Sequence, residues 1–466
     1  MEDRNIYERT LLRLMRPRSA IDKTLRRVLI GLLLVNGVAG LLLALASLIV
    51  PKLVNDKDIV QEYVLPKALL NGADPALPVS ELASRYAGIE TLLHHPTPHP
   101  PTVGIIFLPL SALDYRTAVY SWFAISLISL LVAVWMVNRS VGFRPSFTTI
   151  AIIALISIGW SPVMLDLNWG QLMIQILVLL VGAYLALSSS RQVLAGALLG
   201  ASLLLKPTAW PVFLVFIIYK KWRAMLATVV VVLVGYALAC ALWGFDSVIA
   251  YFTRVLPEVE SLYQSEPANA SLSTLGWRLF SGTDSQFSLG IFAPPLWHSE
   301  PLADLVSKLV VVATLALSAA ALLRLRDVSS SFGLMIVVAV LISPVSWDHY
   351  HVLTILPVAQ VISSLASNGF PRGRTASAFA AGVLLLIPYG AWILLALAAG
   401  GIPPVSQGEY PVSLLASLIT MGPALALIGL GATLILCRRE TGSAKVRLLS
   451  CDALPEPTAL GQQAHR

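Results

Sequence analysis

Apolar runs long enough to cross a lipid bilayer recur along the whole of this sequence. The first extends from about Val28 to Val50, and similar runs follow as far as Cys437. A transmembrane helix needs about 20 predominantly apolar residues. The chain is 57% hydrophobic and 12% charged, whereas soluble domains carry about 25% charged residues. The sequence therefore predicts an all-α polytopic membrane protein.

The lengths and spacing of these runs predict about twelve transmembrane helices. The runs at 192–205 and 208–219 are both short for a bilayer, and Lys206 and Pro207 between them indicate a broken or tilted arrangement. We place the helices near residues 26–50, 117–137, 147–163, 170–187, 192–205, 208–219, 223–243, 301–323, 330–343, 349–364, 374–399 and 411–437.

The distribution of positive charge predicts the orientation. With a cytoplasmic N-terminus, most of the 32 Lys and Arg residues fall on the cytoplasmic side, as the positive-inside rule requires. Residues 1–25 are then a basic cytoplasmic segment, 26–437 the transmembrane domain and 438–466 a polar cytoplasmic tail. This bias explains the formal charge of +7, and we expect no nucleic-acid partner because no motif for one is visible. The first apolar run is long for a signal peptide, so we expect it to be retained as a helix.

Polar residues concentrate on the opposite, extracytoplasmic side. Two long loops fall there, at about 51–116 and 244–300, and the first contains the apolar piece TVGIIFLPLSAL, which is short for a span and is expected at the interface or in a re-entrant helix. The stretches SPVMLDLNWGQ (161–171) and SPVSWDHYH (343–351) reach the same side. Transporters place ionisable residues near the bilayer midplane, so this distribution favours a site at the outer surface.

The first outer loop opens with two aspartates directly after the first helix. The segment NDKDIVQEYVLPKALLNGADP carries Asp56 and Asp58. A carboxylate near the outer headgroups acts as a general base on a hydroxyl if its geometry and pKa permit. Aspartates are also common in solvated loops, and the spacing alone favours that ordinary interpretation.

Two polar residues mark the ends of apolar helices on the outer side. Lys206 follows AGALLGASLLL. A lone Lys at the end of a membrane helix usually extends to the interface. In the alternative interpretation, Lys206 binds a lipid phosphate as a cation. Gln171, in NWGQL, has two alternatives of equal weight. Its side chain either hydrogen-bonds a sugar hydroxyl or makes an ordinary helix cap or interhelical hydrogen bond.

The second outer loop contributes Asn269 and Arg278, in EPANASLSTLGWRLF. Arg278 is a candidate partner for a phosphate or for a loop acid such as Glu266. Asn269-Ala270-Ser271 also fits a glycosylation acceptor, which needs a eukaryotic secretory context.

Histidines are concentrated in two of the outer stretches. HHPTPHPP holds His94, His95 and His99, but the prolines splay these side chains and no further ligand has a convincing spacing, so we expect no metal. SPVSWDHYH holds His349 and His351.

The stretch SPVSWDHYH has two interpretations. Trp347 and Tyr350 fit an interfacial aromatic belt. In the alternative, which the density of polar groups favours, the stretch is a rim for a sugar phosphate, where Trp347 stacks on the sugar, a histidine donates to phosphate and Asp348 accepts from hydroxyls.

Taken in order, these stretches resemble glycosyltransferase family 87, which includes polyprenyl-phosphate-mannose-dependent α-mannosyltransferases with the GT-C fold. The resemblance covers roughly residues 25–365. It implies a multi-helix membrane core with an outward cavity, which a polyprenyl-phosphate sugar enters from the lipid and an acceptor from the outer side. It rests on KDIVQEYVLPKALLNGADP, HPPTVGIIFLPLSAL, NWGQLMIQILVLL, AGALLGASLLLKPTAWPVFLVFIIYKKW, NASL with WRLF, and SPVSWDHYHVLTILP.

The resemblance also implies roles for single residues. The family's acid after the first helix aligns with Asp58 through the pattern D-x-x-x-x-Y…A-L-L-x-G-x-D-P, so Asp58 is the expected general base and Asp56 the second choice. Lys206 matches the family's Lys-Pro and becomes a candidate for the donor phosphate. His349, and after it His351, match the late polar stretch and are candidates for phosphate or acceptor contacts.

The remaining candidates are assigned more broadly. His99 stands where the family often has Tyr or Phe, which leaves its role open. Gln171, Trp347 and Arg278 are assigned to the donor, and Asn269, His99 and Asp348 to the acceptor or to other contacts.

The implied reaction is transfer of a mannose-like sugar from a polyprenyl phosphate to a lipid or glycan acceptor, at the outer side of a bacterial inner membrane. Asp58 deprotonates the acceptor, and the phosphate leaves from an oxocarbenium-like state with inversion. We expect neither a cofactor nor a metal, and membrane lipids are the other expected partners. The alternatives are a transporter or flippase of lipid-linked sugars and a non-catalytic glycolipid-binding relative.

Overall fold

The computed structural model describes residues 20–283, 293–367, 371–400 and 413–437. Regular structure in these ranges is helical, apart from an isolated antiparallel bridge between Thr283 and Ala293. The predicted cytoplasmic tail at 438–466 and most of the predicted N-terminal segment at 1–25 lie outside the described residues.

The helices of the first half of the chain surround the two aspartates and Lys206. In chain order they are α1 (Ala20–Ile49), α2 (Pro51–Asn55), α3 (Ile59–Leu70), α4 (Val79–Ala87), α5 (Pro101–Ser111), α6 (Tyr115–Ser140), α7 (Phe147–Ile158), α8 (Ser161–Trp169), α9 (Met173–Ser188), α10 (Gln192–Leu205), a 3-10 helix (Pro207–Val212), α11 (Phe213–Ile218) and α12 (Trp222–Trp243).

The second half completes the bundle and contains the late polar stretch. Its elements are α13 (Phe245–Ala250), a π-helical turn (Tyr251–Val255), α14 (Leu256–Tyr263), a 3-10 turn (Leu272–Thr274), α15 (Leu275–Phe280), α16 (Glu300–Leu325), α17 (Val328–Ile342), a 3-10 helix (Asp348–Thr354), α18 (Ile355–Ser367), α19 (Arg372–Leu386), α20 (Tyr389–Gly400), α21 (Leu414–Ile419) and α22 (Gly422–Leu436).

The described residues form five helical runs that are long and apolar enough to span a membrane, or up to seven if each of two bent pairs is one span. The structure is therefore that of a polytopic all-α membrane protein, but it does not confirm about twelve spans. The reason is helix length, because six other apolar helices have only 10–17 residues, or about 15–26 Å at 1.5 Å per residue. The five runs are Thr24–Ile49, Tyr115–Ser140, Trp222–Trp243, Glu300–Leu325 and Asp348–Ser367.

Two regions predicted as single helices are broken. The predicted helices at 147–163 and 374–399 are each a pair of helices bent by 86°. A proline stands at each break. Ile387, directly before Pro388, has an extended backbone, because the residue before a proline is disfavoured in helical conformation. At the other break Trp160 is extended, and Pro162, the second residue of α8, has no N–H with which to continue α7.

The core lies around α9 and α17. Every residue of α17 from Ser331 to Ile342 is buried, and most of α9 is buried as well. By contrast, α1, α12 and α16 expose large apolar side chains such as Val35, Leu233 and Val312, as expected for helices that face lipid.

Close packing of α10 on α12 fixes the position of Lys206. A Cβ on Gly196 would lie 2.0 Å from the carbonyl oxygen of Ala224, and one on Gly200 would lie 2.9 Å from Cβ of Val231. The helices run parallel, because Gly200, four residues after Gly196, would meet the carbonyl oxygen of Thr228, four residues after Ala224, at 3.0 Å from an added Cβ. Small residues four apart allow this approach in membrane helices, and α10 then ends at Lys206.

We predict that Gly196→Ala destabilises the protein. The added methyl group forces the two backbones apart, and overpacking of this kind costs about 1–3 kcal/mol. Thermal unfolding of the purified protein in detergent measures the effect as a lower Tm. Gly31→Ala is the control, because a Cβ on Gly31 meets nothing within 4 Å. Equal Tm changes for the two variants would show that the α10–α12 contact does not limit stability.

Candidate functional site

Asp58 directly precedes α3, and hydrogen bonds of its own side chain and of the neighbouring Lys57 fix its position. Its Oδ2 accepts a hydrogen bond from Nε2 of Gln171, which precedes α9. The neighbouring Lys57 is buried, and its Nζ donates to Oγ of Ser47 at 2.7 Å and to the carbonyl oxygen of Asn168. These bonds tie the start of α3 to α1, to the last turn of α8 and to the residue that precedes α9.

A glycine turn brings Gln171 to Asp58. Gly170 has φ +71°, and a Cβ on it would lie 3.0 Å from Cβ of Ile59, the residue after Asp58. Glycine adopts this left-handed conformation without steric cost. Trp122 Nε1 donates to the Gly170 carbonyl at 2.9 Å, and Asp166 Oδ2 accepts from the backbone N–H of Met173 at 3.0 Å. The turn that carries Gln171 is therefore fixed on both sides.

Burial raises the pKa of Asp58 to about 6. The negative charge of Glu62 acts in the same direction, whereas the hydrogen bond from Gln171 and the charges of Lys206 and Lys57 lower the pKa. Burial likewise lowers the pKa of Lys57 to about 8, against the attraction of Asp58. A carboxylate with a pKa near neutrality is suited to accept a proton from a hydroxyl.

Lys206 lies in the break between α10 and the 3-10 helix that follows it. The residue is 8% exposed, so it does not extend to the surface as lone lysines at helix ends usually do. Its Nζ lies 4.2 Å from the ring centre of Tyr350, and its charge interacts with Glu62, Asp58 and Asp166. The structure thus brings Lys206, Asp58 and Gln171 into one cluster, in which Lys206 and Gln171 are buried and Asp58 is half-buried.

The stretch 343–351 supplies a second wall of this cluster. His349 is buried, its Nε2 has no hydrogen-bond partner, and it interacts electrostatically with Lys206. His351 turns instead toward Asp348, because its Nδ1 is 3.0 Å from the Asp348 carbonyl oxygen. Asp348 also accepts a hydrogen bond from Ser161 Oγ. Trp347 packs edge-on against Tyr263, with ring centres 5.2 Å apart.

Two residues that sequence reasoning missed also belong to the cluster. Glu62 is buried one helical turn after Asp58, and Asp166 is fully buried beside Gln171. The i, i+4 spacing of Asp58 and Glu62 was a signal for a shared helix face. No comparable pattern marks Asp166.

Many polar atoms of the cluster have no hydrogen-bond partner in the protein. Buried polar groups are normally paired, so an accumulation of unpaired atoms is typical of a site that takes a polar ligand. The atoms are Glu62 Oε2, His99 Nε2, Asp166 Oδ1, Asn168 Oδ1, Gln171 Oε1, His349 Nε2 and His351 Nε2.

Arg278, predicted to bind the donor, instead holds the second outer loop together. It is fully buried on α15, and its guanidinium donates to the carbonyl oxygens of Ser417 (2.9 Å), Pro267 (2.9 Å) and Asn269 (2.7 Å), and to Thr420 Oγ1 (2.6 Å). These bonds occupy the groups that a phosphate would need.

Asn269 is another predicted contact with a structural position. Its Nδ2 donates to the carbonyl oxygens of Tyr263 at 3.1 Å and Pro344 at 2.8 Å, while its Oδ1 accepts from the N–H of Ser346 at 2.9 Å. The side chain is fully buried, which is incompatible with glycosylation of this amide in the folded protein. Asn269 therefore positions the stretch 343–351.

Asp56, the second choice for the base, fixes the first outer loop. Its Oδ1 accepts a hydrogen bond from the backbone N–H of Leu92 at 3.0 Å. This contact holds the carboxylate against the loop that contains Leu92.

The histidines of HHPTPHPP have separate surroundings. His94 lies 3.0 Å from Ser80 Oγ, the ring of His95 bonds the Pro96 carbonyl at 2.9 Å, and His99 contacts Glu62. Within the described ranges, no group of three or more His, Cys, Asp or Glu side chains is arranged to hold a metal ion.

A cleft of about 570 Å³ lies elsewhere, between the starts of α10 and α12, where Arg191 and Arg223 line it. The 16 residues of α9, about 24 Å of helix, separate that end of the bundle from Gln171. The polar cluster, rather than this cleft, contains the acid and the lysine, and we take it as the candidate site.

The model of glycosyltransferase family 87 matches residues 98–345. The chain belongs to this family. The match includes His99, Gln171 and Lys206, while Asp58 lies before it and Trp347 after it. The family resemblance inferred from the sequence motifs is thereby confirmed.

Curated relatives are similar over a shorter region. Two α-(1→3)-arabinofuranosyltransferases, from the CDC 1551 and H37Rv strains of Mycobacterium tuberculosis, are each 29% identical over 168 residues. This region is 34% of the chain and 37% of each relative, so the similarity spans little more than a third of either protein. No solved structure matches the chain.

We predict that Asp58→Asn stabilises the protein at alkaline pH. The pKa of Asp58 is about 6 in the folded protein and 3.8 in the unfolded chain. The ionised carboxylate therefore lowers the free energy of unfolding above about pH 6, and this loss disappears as the pH falls below about 4. The variant should have a higher Tm than the wild type at pH 8 and a smaller advantage at pH 5. Thermal unfolding in detergent at both pH values measures this difference, with Asp56→Asn as the control. An advantage that does not change with pH would contradict the assigned burial of the charge.

Proposed function

We propose that the protein is an integral-membrane glycosyltransferase that moves a sugar from a polyprenyl-phosphate donor to a lipid or glycan acceptor. The observation that carries the proposal is the buried cluster in which a carboxylate with a raised pKa lies within electrostatic reach of Lys206. Family membership and the two arabinofuranosyltransferase relatives support sugar transfer as the reaction class.

Asp58 is the general base of the proposed reaction. It accepts the proton of an acceptor hydroxyl, and the hydroxyl oxygen attacks the anomeric carbon. The bond between that carbon and the phosphate oxygen breaks through an oxocarbenium-like state, as in other glycosyl transfers. Because one displacement connects donor and product, we expect inversion at the anomeric carbon.

Lys206 stabilises the departing lipid phosphate. A buried cation interacts with an anion far more strongly than an exposed one, since little water screens the two charges. His349 Nε2 adds a potential hydrogen bond from the opposite wall. We expect Lys206 to supply the positive charge, so that transfer proceeds in the presence of EDTA.

The sugar is proposed as mannose-like on the sequence resemblance, and the two arabinofuranosyltransferase relatives add arabinofuranose as a second candidate. Both are aldoses whose anomeric carbon can carry a phosphate leaving group, and the proposed chemistry is the same for each. The site is proposed to face the outer side of a bacterial inner membrane, with both termini in the cytoplasm, on the strength of the charge distribution.

We expect purified protein to transfer radiolabelled mannose or arabinofuranose from the polyprenyl phosphate to at least one member of a panel of glycan and glycolipid acceptors. The rate should fall about tenfold per pH unit below about pH 6, where Asp58 becomes protonated, and Asp58→Asn should lower kcat by about 10²–10⁴-fold. Asp56→Asn is the matched control and should retain most of the activity. Lipid movement between leaflets without any transfer would instead support the transporter alternative, and an unchanged rate for Asp58→Asn would remove Asp58 from the base role.

We also predict that Lys206→Gln weakens donor use. Loss of a hydrogen bond to a charged group costs about 1.5–3 kcal/mol, which corresponds to a 10- to 100-fold lower kcat/KM for the donor, with the KM of the acceptor unchanged. Lys206→Arg should recover part of the loss. The exposed Lys52 provides the control Lys52→Gln; an equal loss in this control would place the effect in general membrane binding.

A further inference from the structure

A buried carboxylate–imidazole pair lies beside Asp58 and has no role in the mechanism above. Glu62 and His99 are 2% and 1% exposed, and Oε1 of Glu62 contacts Nδ1 of His99. Glu62 belongs to α3, one turn after Asp58, whereas His99 comes from the Pro-rich segment before α5. The pair therefore joins two separate parts of the chain inside the candidate site.

The segment that carries His99 is fixed against the Lys206 break. Tyr251 Oη donates to the carbonyl oxygen of Pro98 at 3.1 Å, and Thr102 Oγ1 donates to that of Leu204 at 2.5 Å. The second bond joins the start of α5 to the end of α10, two residues before Lys206. The position of the imidazole is thus set by bonds on both sides of His99.

The contact with Glu62 determines which nitrogen of His99 is available. A carboxylate next to Nδ1 accepts a hydrogen bond from it, and the second ring nitrogen then stays available to another partner. Nε2 of His99 is buried and has no hydrogen-bond partner. This is the arrangement in which an acid orients an imidazole for proton transfer at its free nitrogen.

The charged groups around His99 determine whether its imidazole is protonated, and a bound anion would join them. Burial and the charge of Lys206 lower the pKa of His99, while Glu62 raises it. His349 and His95 also interact with the ring electrostatically. A phosphate placed between Lys206 and His99 adds negative charge next to Nε2, and this favours the protonated imidazole.

We propose that His99, oriented by Glu62, donates a proton to the lipid phosphate as it leaves the sugar, a role that rests on the proposed function. The acceptor oxygen forms its bond to the anomeric carbon and passes its proton to Asp58. The bond from that carbon to the phosphate oxygen breaks, its electron pair stays on the oxygen, and His99 Nε2–H protonates the phosphate. The proton gained by Asp58 and the proton lost by His99 balance, and exchange with solvent restores both groups. His99 is a catalytic residue in this scheme, and Glu62 is a positioning residue.

The test compares two donors that share the same sugar and polyprenyl chain, one with phosphate and one with the more acidic thiophosphate as leaving group. His99→Gln should lower kcat for the phosphate donor by about 10²-fold, within the range of general acid catalysis, and should affect the thiophosphate donor much less. Equal losses with both donors would overturn the role of His99 and leave the proposed function intact. Absence of transfer by the wild type with either donor would count against the proposed function itself.

The pH profile separates the positioning role of Glu62 from a purely structural one. Because Glu62 raises the pKa of both Asp58 and His99, Glu62→Gln should move the acid and the alkaline limbs of kcat to lower pH. His99→Gln should remove the alkaline limb and keep the acid limb. A reduced rate with unmoved limbs in Glu62→Gln would contradict the inference.

Product binding provides a readout that does not depend on turnover. Calorimetry of polyprenyl phosphate binding in two buffers of different ionisation enthalpy should show proton uptake by the wild type and a clearly smaller uptake by His99→Gln. His94→Gln is the matched control, since His94 is exposed on the same segment and contacts Ser80. Equal proton uptake by the wild type and His99→Gln would exclude His99 as the group that shares a proton with the phosphate.

Discussion

The candidate site depends on keeping charged groups buried in a largely apolar helical bundle. Removing an ion from water costs several kcal/mol unless an opposite charge and hydrogen bonds compensate it. Lys57 and Lys206 face Asp58 and Glu62 at this site, and their charges interact. The compensation is incomplete, since the pKa of Asp58 stays near 6. Because its negative charge is incompletely compensated, the Asp58 carboxylate is suited to accept a proton.

The polar groups of the site come from places where helices end or break. Asp58 precedes α3, Gln171 follows the turn at Gly170, Lys206 separates α10 from a 3-10 helix, and His349 lies in another 3-10 helix. Irregular backbone inside a membrane protein is tolerated where it is covered by protein or lines a cavity. The breaks therefore bring polar side chains together at one end of the bundle without exposing backbone groups to lipid.

The family resemblance of the sequence stretches singled out Asp58, Lys206 and His349, and the structure places these side chains close to Gln171 in one cluster. The sequence was not sufficient for the helix count, since hydropathy measures apolar length and does not detect a bend. Arg278 shows a second limit. A buried arginine that holds a loop and an arginine that binds phosphate have the same local sequence, and only the bonding partners distinguish them.

The middle of the bundle supports a site at one face over a path through the membrane. In α9, residues 176–183 are all apolar, and in α10 the same holds for 193–201. In α17, Ser331 is the only polar side chain of the buried run that ends at Ile342. These apolar stretches lie between the candidate site and the basic cleft at Arg191, and apart from Ser331 their side chains offer an ion or a sugar no hydrogen-bonding groups. Alternating access would require such groups to be exposed in turn from both sides, whereas a transferase needs them only where donor and acceptor meet.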